Sequence, residues 1–160
     1  VDSRLVKEKT HPGPDGRRTV CILLVEDNRG DARLIQTLLR EFGTNAFSLD
    51  VHVASDGEAA IDFLLQRGEY SGAVTPSAVI LDINLPKKSG FDVLTEMRKH
   101  PRLRRMPVFI LTTSNAHEDI LKGYSLDAVS FITKPSSLAG LEDAVRMFLA
   151  VELPRVIRED

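Results

Sequence analysis

The chain has 160 residues, with 21 Lys and Arg against 23 Asp and Glu; this is room for one ordinary domain with a real hydrophobic core, but not for that domain plus a second folded module. So even a balance excludes both the basic field of a nucleic-acid binder and the acidic excess of a disordered chain. No apolar stretch reaches the roughly 20 residues of a membrane helix, no export signal is visible, and the single cysteine, Cys21, excludes an internal disulfide, so a cytoplasmic protein with Cys21 as a buried structural thiol is expected.

Residues 1–18 include His11-Pro12-Gly13-Pro14-Asp15-Gly16, carry no sustained apolar period and read as a flexible tail. From Val20 onward, apolar runs of strand length alternate with amphipathic stretches of helix length, five of each, which is the pattern of a parallel α/β sheet. The strands are predicted over 20–25, 47–53, 78–81, 108–111 and 129–132. Four are almost wholly apolar, as strands covered on both faces should be, while the second interleaves Ser48, Asp50 and His52 and reads as a sheet edge.

The first helix carries Ala32, Ile35, Leu38, Leu39 and Phe42 on one face and ends at Gly43. Ser55 and Glu58 fit a capping box for the second, which begins near Gly57, buries Ile61, Leu64 and Leu65, and closes at Gly68. The third runs from about Gly90, with Phe91, Leu94 and Met97 inward, and stops before Pro101. The fourth, over 116–124, is the least firmly packed, with Ile120 and Leu121 as its core residues. The fifth follows a Ser136-Ser137 cap with the stripe Leu138, Leu141, Val145 and Phe148. These elements define one domain over 19–152, with a Pro-broken charged tail over 153–160.

Open parallel sheets bind ligands beyond the carboxyl ends of their strands. Those ends here are Glu26-Asp27, Asp82, Thr112-Thr113 and Lys134. Taken singly each has a plain reading: an acidic pair starting a helix, a turn cap, an exposed loop cation. Taken together they are specific, because a carboxylate trio, a hydroxyl and a lysine fall at the ends of successive strands. Three such carboxylates repel one another unless a cation lies among them. Mg2+, with about six oxygen ligands, suits Glu26, Asp27, Asp82 and the Asn84 backbone carbonyl. A carboxylate beside a metal, a lysine and a hydroxyl is equipped for phosphoryl transfer, with Asp82 as nucleophile and Lys134 and Thr112 on the phosphoryl oxygens.

Leu24-Val25-Glu26-Asp27-Asn28, Leu81-Asp82-Ile83-Asn84-Leu85-Pro86 with Gly90, Leu111-Thr112-Thr113 and Phe131-Ile132-Thr133-Lys134-Pro135 resemble the receiver domains of bacterial two-component response regulators, in the family's order and spacing over 19–151. The resemblance implies a flavodoxin-like (βα)5 sandwich with strand order 2-1-3-4-5. It implies that a sensor histidine kinase phosphorylates Asp82, that Mg2+ (with Mn2+ or Ca2+ as substitutes) is the cofactor, and that Thr112 and Phe131 are the switch pair. Many relatives carry tyrosine where Phe131 stands, so its hydroxyl contacts are missing here. The resemblance further implies a cis Lys134–Pro135 bond, and a phosphoryl lifetime tuned by Asn84 and Ser114. Neither is a strong base, so self-dephosphorylation is expected to be slow.

Leu85-Pro86-Lys87-Lys88-Ser89-Gly90 and Pro107-Val108-Phe109-Ile110-Leu111-Thr112-Thr113-Ser114 resemble the small single-domain regulators that serve bacterial phytochrome kinases. That likeness implies a bacteriophytochrome as kinase, an unidentified downstream protein, and a homodimer through the fourth helix, fifth strand and fifth helix. A haloacid-dehalogenase-type phosphatase would need an acid where Asn84 stands. Flavodoxin-type electron transfer would need a phosphate loop where Asp27-Asn28-Arg29 stands. A non-phosphorylated scaffold would have lost an acid, the acceptor or the lysine, and a transcription factor would need a DNA-binding module after Leu149. No direct contact with nucleic acid or membrane is expected.

Overall fold

The computed structural model describes residues 16–43, 47–113 and 117–157. It lays out β1 (Arg18–Val25), α1 (Arg29–Glu41), β2 (Phe47–Ala54), α2 (Gly57–Leu64), β3 (Ala78–Asp82), α3 (Gly90–Lys99), β4 (Val108–Thr112), α4 (His117–Ser125), β5 (Ser130–Thr133), α5 (Leu138–Met147) and α6 (Leu153–Val156). The strands form one parallel sheet in the order β2-β1-β3-β4-β5, so the polar second strand is an edge, as its interleaved pattern predicts. Among the described residues no helix is long and apolar enough to cross a membrane.

Side-chain alternation divides the core in two. Leu23, Val25, Val79, Leu81 and Ile110 face one layer with α2 and α3. Ile22, Leu24, Ile80, Phe109 and Leu111 face the other with α1 and α5. Burying each such side chain contributes about 1.5–3 kcal/mol, and the three central strands are lined with them on both faces. Phe109 and Phe148 meet edge to face at 5.0 Å, which anchors the end of α5 to the sheet.

Several local details differ from the sequence reading. The N-cap of α2 is Asp56, whose carboxylate accepts from the Ala59 N–H at 2.7 Å; it stands immediately before the first helical residue, Gly57, where Ser55 is one position too early. That helix closes at Leu65, with Gln66 at φ 57 before Gly68 is reached. Leu121 and Leu138 are both 56% exposed, because each falls on the outer side of its helix, while Gly123 and Leu141 take the inner positions. Residues 153–157 are packed rather than trailing: Leu153 is fully buried, and Val156 and Ile157 rest on the same core. A π-helical turn at Phe148–Glu152 lets the Leu153 N–H reach the Phe148 carbonyl. Pro154 then lies in the first turn of α6, where its missing N–H costs nothing.

Arg98 is a structural cation that the sequence pattern does not single out. Its guanidinium donates to the carbonyls of Leu126 (2.8 Å), Arg104 (2.9 Å), Met106 (2.9 Å) and Asp127 (3.1 Å), tying α3 to the loops that flank β4 and β5. Burial lowers its pKa, with the Asp127 charge acting the other way.

Candidate functional site

The parallel register brings the carboxyl ends of four strands level. Val25 pairs with Leu81, Asp82 with Leu111, and Thr112 with Thr133. The first residues past β1 and β5, Glu26 and Lys134, therefore flank Asp82. Among the described residues, Glu26, Asp82 and Thr112 are the buried polar ones, at 2%, 4% and 1% exposure. Each is held by the backbone around it: the Glu26 N–H donates to Ala54 O (3.0 Å) and the Lys134 N–H to Thr112 O (2.7 Å). The Asn84 N–H donates to Asp82 Oδ1 (2.8 Å) and the Asn28 N–H to Glu26 Oε1 (3.2 Å).

Gly90 permits the approach of α3. A Cβ there would lie 2.4 Å from the Asp82 carbonyl oxygen and 2.6 Å from Ile83 Cα, both backbone atoms that cannot step aside. The preceding loop places Lys87 at φ 64, and Ser89 with Asp92 forms a reciprocal capping box on α3. The loop between β3 and α3 is thus fixed at both ends.

Carboxylate oxygens of Glu26, Asp27 and Asp82 lie within 4.8 Å of one another, with Asp27 exposed to solvent. Lys134 Nζ stands 2.9 Å from Glu26 Oε2, 3.0 Å from Asp31 Oδ2 and 3.3 Å from Asp82 Oδ2. Burial, then the hydrogen bond with Asp82, pushes the Glu26 carboxyl up to about 7, although Lys134 pulls the other way. For Lys134 burial disfavours the ammonium, but its bonds to Glu26 and Asp31 and the Asp82 charge outweigh that and hold its pKa above the usual lysine range. A buried carboxyl so reluctant to ionise, beside two more acids, fits a hard cation with oxygen ligands.

The structure therefore brings together Glu26, Asp27, Asp82, Thr112 and Lys134. Asn84 is exposed in the loop after β3, and Ser114 lies outside the described residues. The Lys134–Pro135 bond is trans. This corrects the cis expectation: trans is the lower-energy isomer of an X-Pro bond by about 0.5–1 kcal/mol. Phe131 is half-buried, its ring 5.3 Å from that of Tyr124, in space left by Gly123, whose Cβ would lie 2.3 Å from Phe131 Cζ. Asp31 is the functional neighbour that sequence reading missed. It registers there as an ordinary acidic residue in the first turn of α1, and only the fold shows that it reaches Lys134.

The family model for the response regulator receiver domain matches residues 22–146. Response regulator Rcp1 of Synechocystis sp. is 40% identical over 131 residues, 82% of this chain and 85% of that protein. Among solved structures, the Mn2+-bound form of Rcp1 superposes with a TM-score of 0.78 at 38% identity, covering 88% of this chain and 99% of that one. The phosphorylated cyanobacterial phytochrome response regulator RcpA gives 0.75 at 39% identity, covering 84% and 96%.

Proposed function

The chain belongs to the response regulator receiver family, and from that premise we propose that it is a cytoplasmic signalling switch that accepts a phosphoryl group on Asp82 from a sensor histidine kinase. The observation that carries this reading is one lysine, Lys134, within 3.3 Å of both Glu26 and Asp82 at the carboxyl ends of the sheet. The Glu26, Asp27 and Asp82 carboxylates and the Asn84 carbonyl would hold Mg2+, or Mn2+ or Ca2+ in its place. When bound, the ion neutralises and orients the incoming phosphoryl group.

A carboxylate oxygen of Asp82 attacks phosphorus as the P–N bond of the phosphohistidine breaks. The electron pair leaves on the imidazole nitrogen, so an acyl phosphate forms on the regulator and a histidine is released on the kinase. The Lys134 ammonium stabilises the charge gathering on one phosphoryl oxygen, and the Thr112 hydroxyl donates to another. Thr112 moving toward that group, with Phe131 turning inward past Gly123, would carry the change to α4. Asn84 and Ser114 would tune the phosphoryl lifetime.

The likeness to Rcp1 and to the phytochrome regulator RcpA supports a phytochrome-class kinase as donor and output through protein contacts. Exposed Leu121 and Tyr124 on α4 and Leu138 and Met147 on α5 offer an apolar face to a downstream protein or a second copy through α4, β5 and α5. A monomeric solution mass with and without a phosphoryl mimic would remove the dimer from this reading. The central test is incubation with Mg2+ and acetyl phosphate followed by intact mass. One added phosphoryl group is expected on the native chain and none on Asp82→Asn; equal uptake by the variant would sink the assignment.

A further inference from the structure

A second group of metal-ligating side chains lies away from the carboxyl-end crevice, in the body of the β1–β2 pair. Cys21 and Asp50 are direct register partners across the two strands, and Leu23 pairs with His52. Partners in a parallel pair project to the same face, and residues two apart on a strand do so again. Cys21, Asp50 and His52 therefore converge on the α2 side of the sheet, with Cys Sγ, a carboxylate oxygen and an imidazole nitrogen within 4.8 Å of one another.

Their surroundings differ by residue. Cys21 is buried, whereas the side chains of Asp50 and His52 are 45% and 35% exposed, so the cluster has a closed floor and an open mouth. His52 Nε2 already meets Asp50 Oδ2 at 2.9 Å. Its ring packs against Phe63 at 5.3 Å, and Phe63 against Tyr70 at 5.5 Å; this apolar wall fixes the imidazole plane. A tetrahedral ion with metal–sulfur and metal–nitrogen bonds of ordinary length needs donors about 3.3–3.6 Å apart. The three donors, already within 4.8 Å of one another, stand close to that spacing.

We propose that Cys21, Asp50 and His52 form a second cation site, taking a zinc-class transition-metal ion on thiolate, carboxylate and imidazole with water as the fourth ligand. The donor set decides the class: sulfur and nitrogen favour a borderline ion over Mg2+, which prefers oxygen throughout. The ion would stitch the edge strand β2 to β1, independently of phosphorylation at the far end of the sheet. Binding releases the thiol proton.

The test uses Co2+ as a spectroscopic stand-in on the full chain carrying Asp27→Asn and Asp82→Asn, which remove two of the three carboxyl-end acids. Cys21 is the single cysteine of the chain, so a thiolate-to-cobalt charge-transfer band can arise from it alone. The expected result is that band, with visible bands of tetrahedral intensity, saturating at one Co2+ per chain and displaced by Zn2+. Cys21→Ser abolishes the charge-transfer band. Because that residue is in the core, His52→Gln at the exposed mouth serves as the second variant, and it weakens Co2+ binding at least tenfold. No thiolate band at saturating Co2+, or one whose affinity His52→Gln leaves unchanged, overturns the proposal.

Discussion

Two three-donor clusters share β1, and they differ in what they hold. At the carboxyl end, Glu26, Asp27 and Asp82 are all oxygen donors, and two of them, Glu26 and Asp82, pair with the ammonium of Lys134. In the body of the β1–β2 pair, Cys21, Asp50 and His52 mix sulfur, oxygen and nitrogen, and the ion pair recorded for Asp50 is with His52. Both arise from one device, the parallel register, which sets partnered residues side by side. The difference lies in charge management. An acid trio with two buried members needs a cationic partner, and a lysine plus a hard ion can hand part of their charge to a visiting phosphoryl group. A thiol–imidazole–carboxylate group has no such surplus and can only retain an ion.

The contrast predicts that the clusters can be broken separately. The largest effect after loss of Asp82 itself is expected from Gly90→Ala, since its Cβ would meet backbone of Asp82 and Ile83 at 2.4 and 2.6 Å. Separating α3 from β3 should cost about 1–3 kcal/mol in denaturant unfolding and reduce phosphoryl uptake, while the cobalt spectrum at Cys21 is retained. A variant as stable as the native chain would show that the α3–β3 approach is not tight.

The next effect is a pH dependence peculiar to the acidic crevice. With EDTA present, Glu26 has its pKa raised from 4.5 to about 7 by burial and by Asp82. Between those values the folded chain binds a proton that the unfolded chain has released, so this contribution to stability is full below pH 4.5 and is lost as pH rises through 7. The unfolding temperature of the chelated protein should therefore fall between pH 4.5 and about 7, and saturating Mg2+ should reverse the slope. A chelated protein that grows more stable over that interval would contradict the burial of Glu26 as a strained acid.

The sheet was legible because β1, β3 and β4 are apolar on both faces and β2 is not; these patterns are local and dictate layer and edge. The crevice was legible because each member stands at the end of a strand that can itself be recognised. What escaped reading depends on partners distant in the chain. Asp31 is an ordinary helix-start acid until β5 brings Lys134 beside it. Asp50 and His52 look like the polar side of an edge strand until register places Cys21 beside Asp50. Leu121 and Leu138 fit a helical stripe, but period alone does not fix its absolute rotation when few apolar residues define it. The tail was misplaced because Pro154 reads as a breaker, whereas a first-turn position tolerates it.

The smallest effect concerns Asp31, and it tests whether Lys134 is fully engaged at rest. An ammonium has three protons to donate, and Glu26, Asp31 and Asp82 stand at 2.9, 3.0 and 3.3 Å from it. A phosphoryl oxygen on Asp82 must displace one of the three. Glu26 and Asp82 are buried, so releasing either strands a charge, whereas the Asp31 side chain is 47% exposed and water can take the place of Lys134. Asp31 is therefore the partner that yields, and holding it costs the resting protein some reactivity. Asp31→Asn should accelerate phosphorylation by acetyl phosphate about two- to fivefold, equivalent to roughly 0.4–1 kcal/mol. It should lower stability by less than about 1 kcal/mol, through loss of a half-exposed pair and of a charge at the α1 N-terminus. The initial rate of mass gain at fixed acetyl phosphate measures the first quantity. A slower rate in the variant would mean that Asp31 aims Lys134 at the acceptor rather than competing for it.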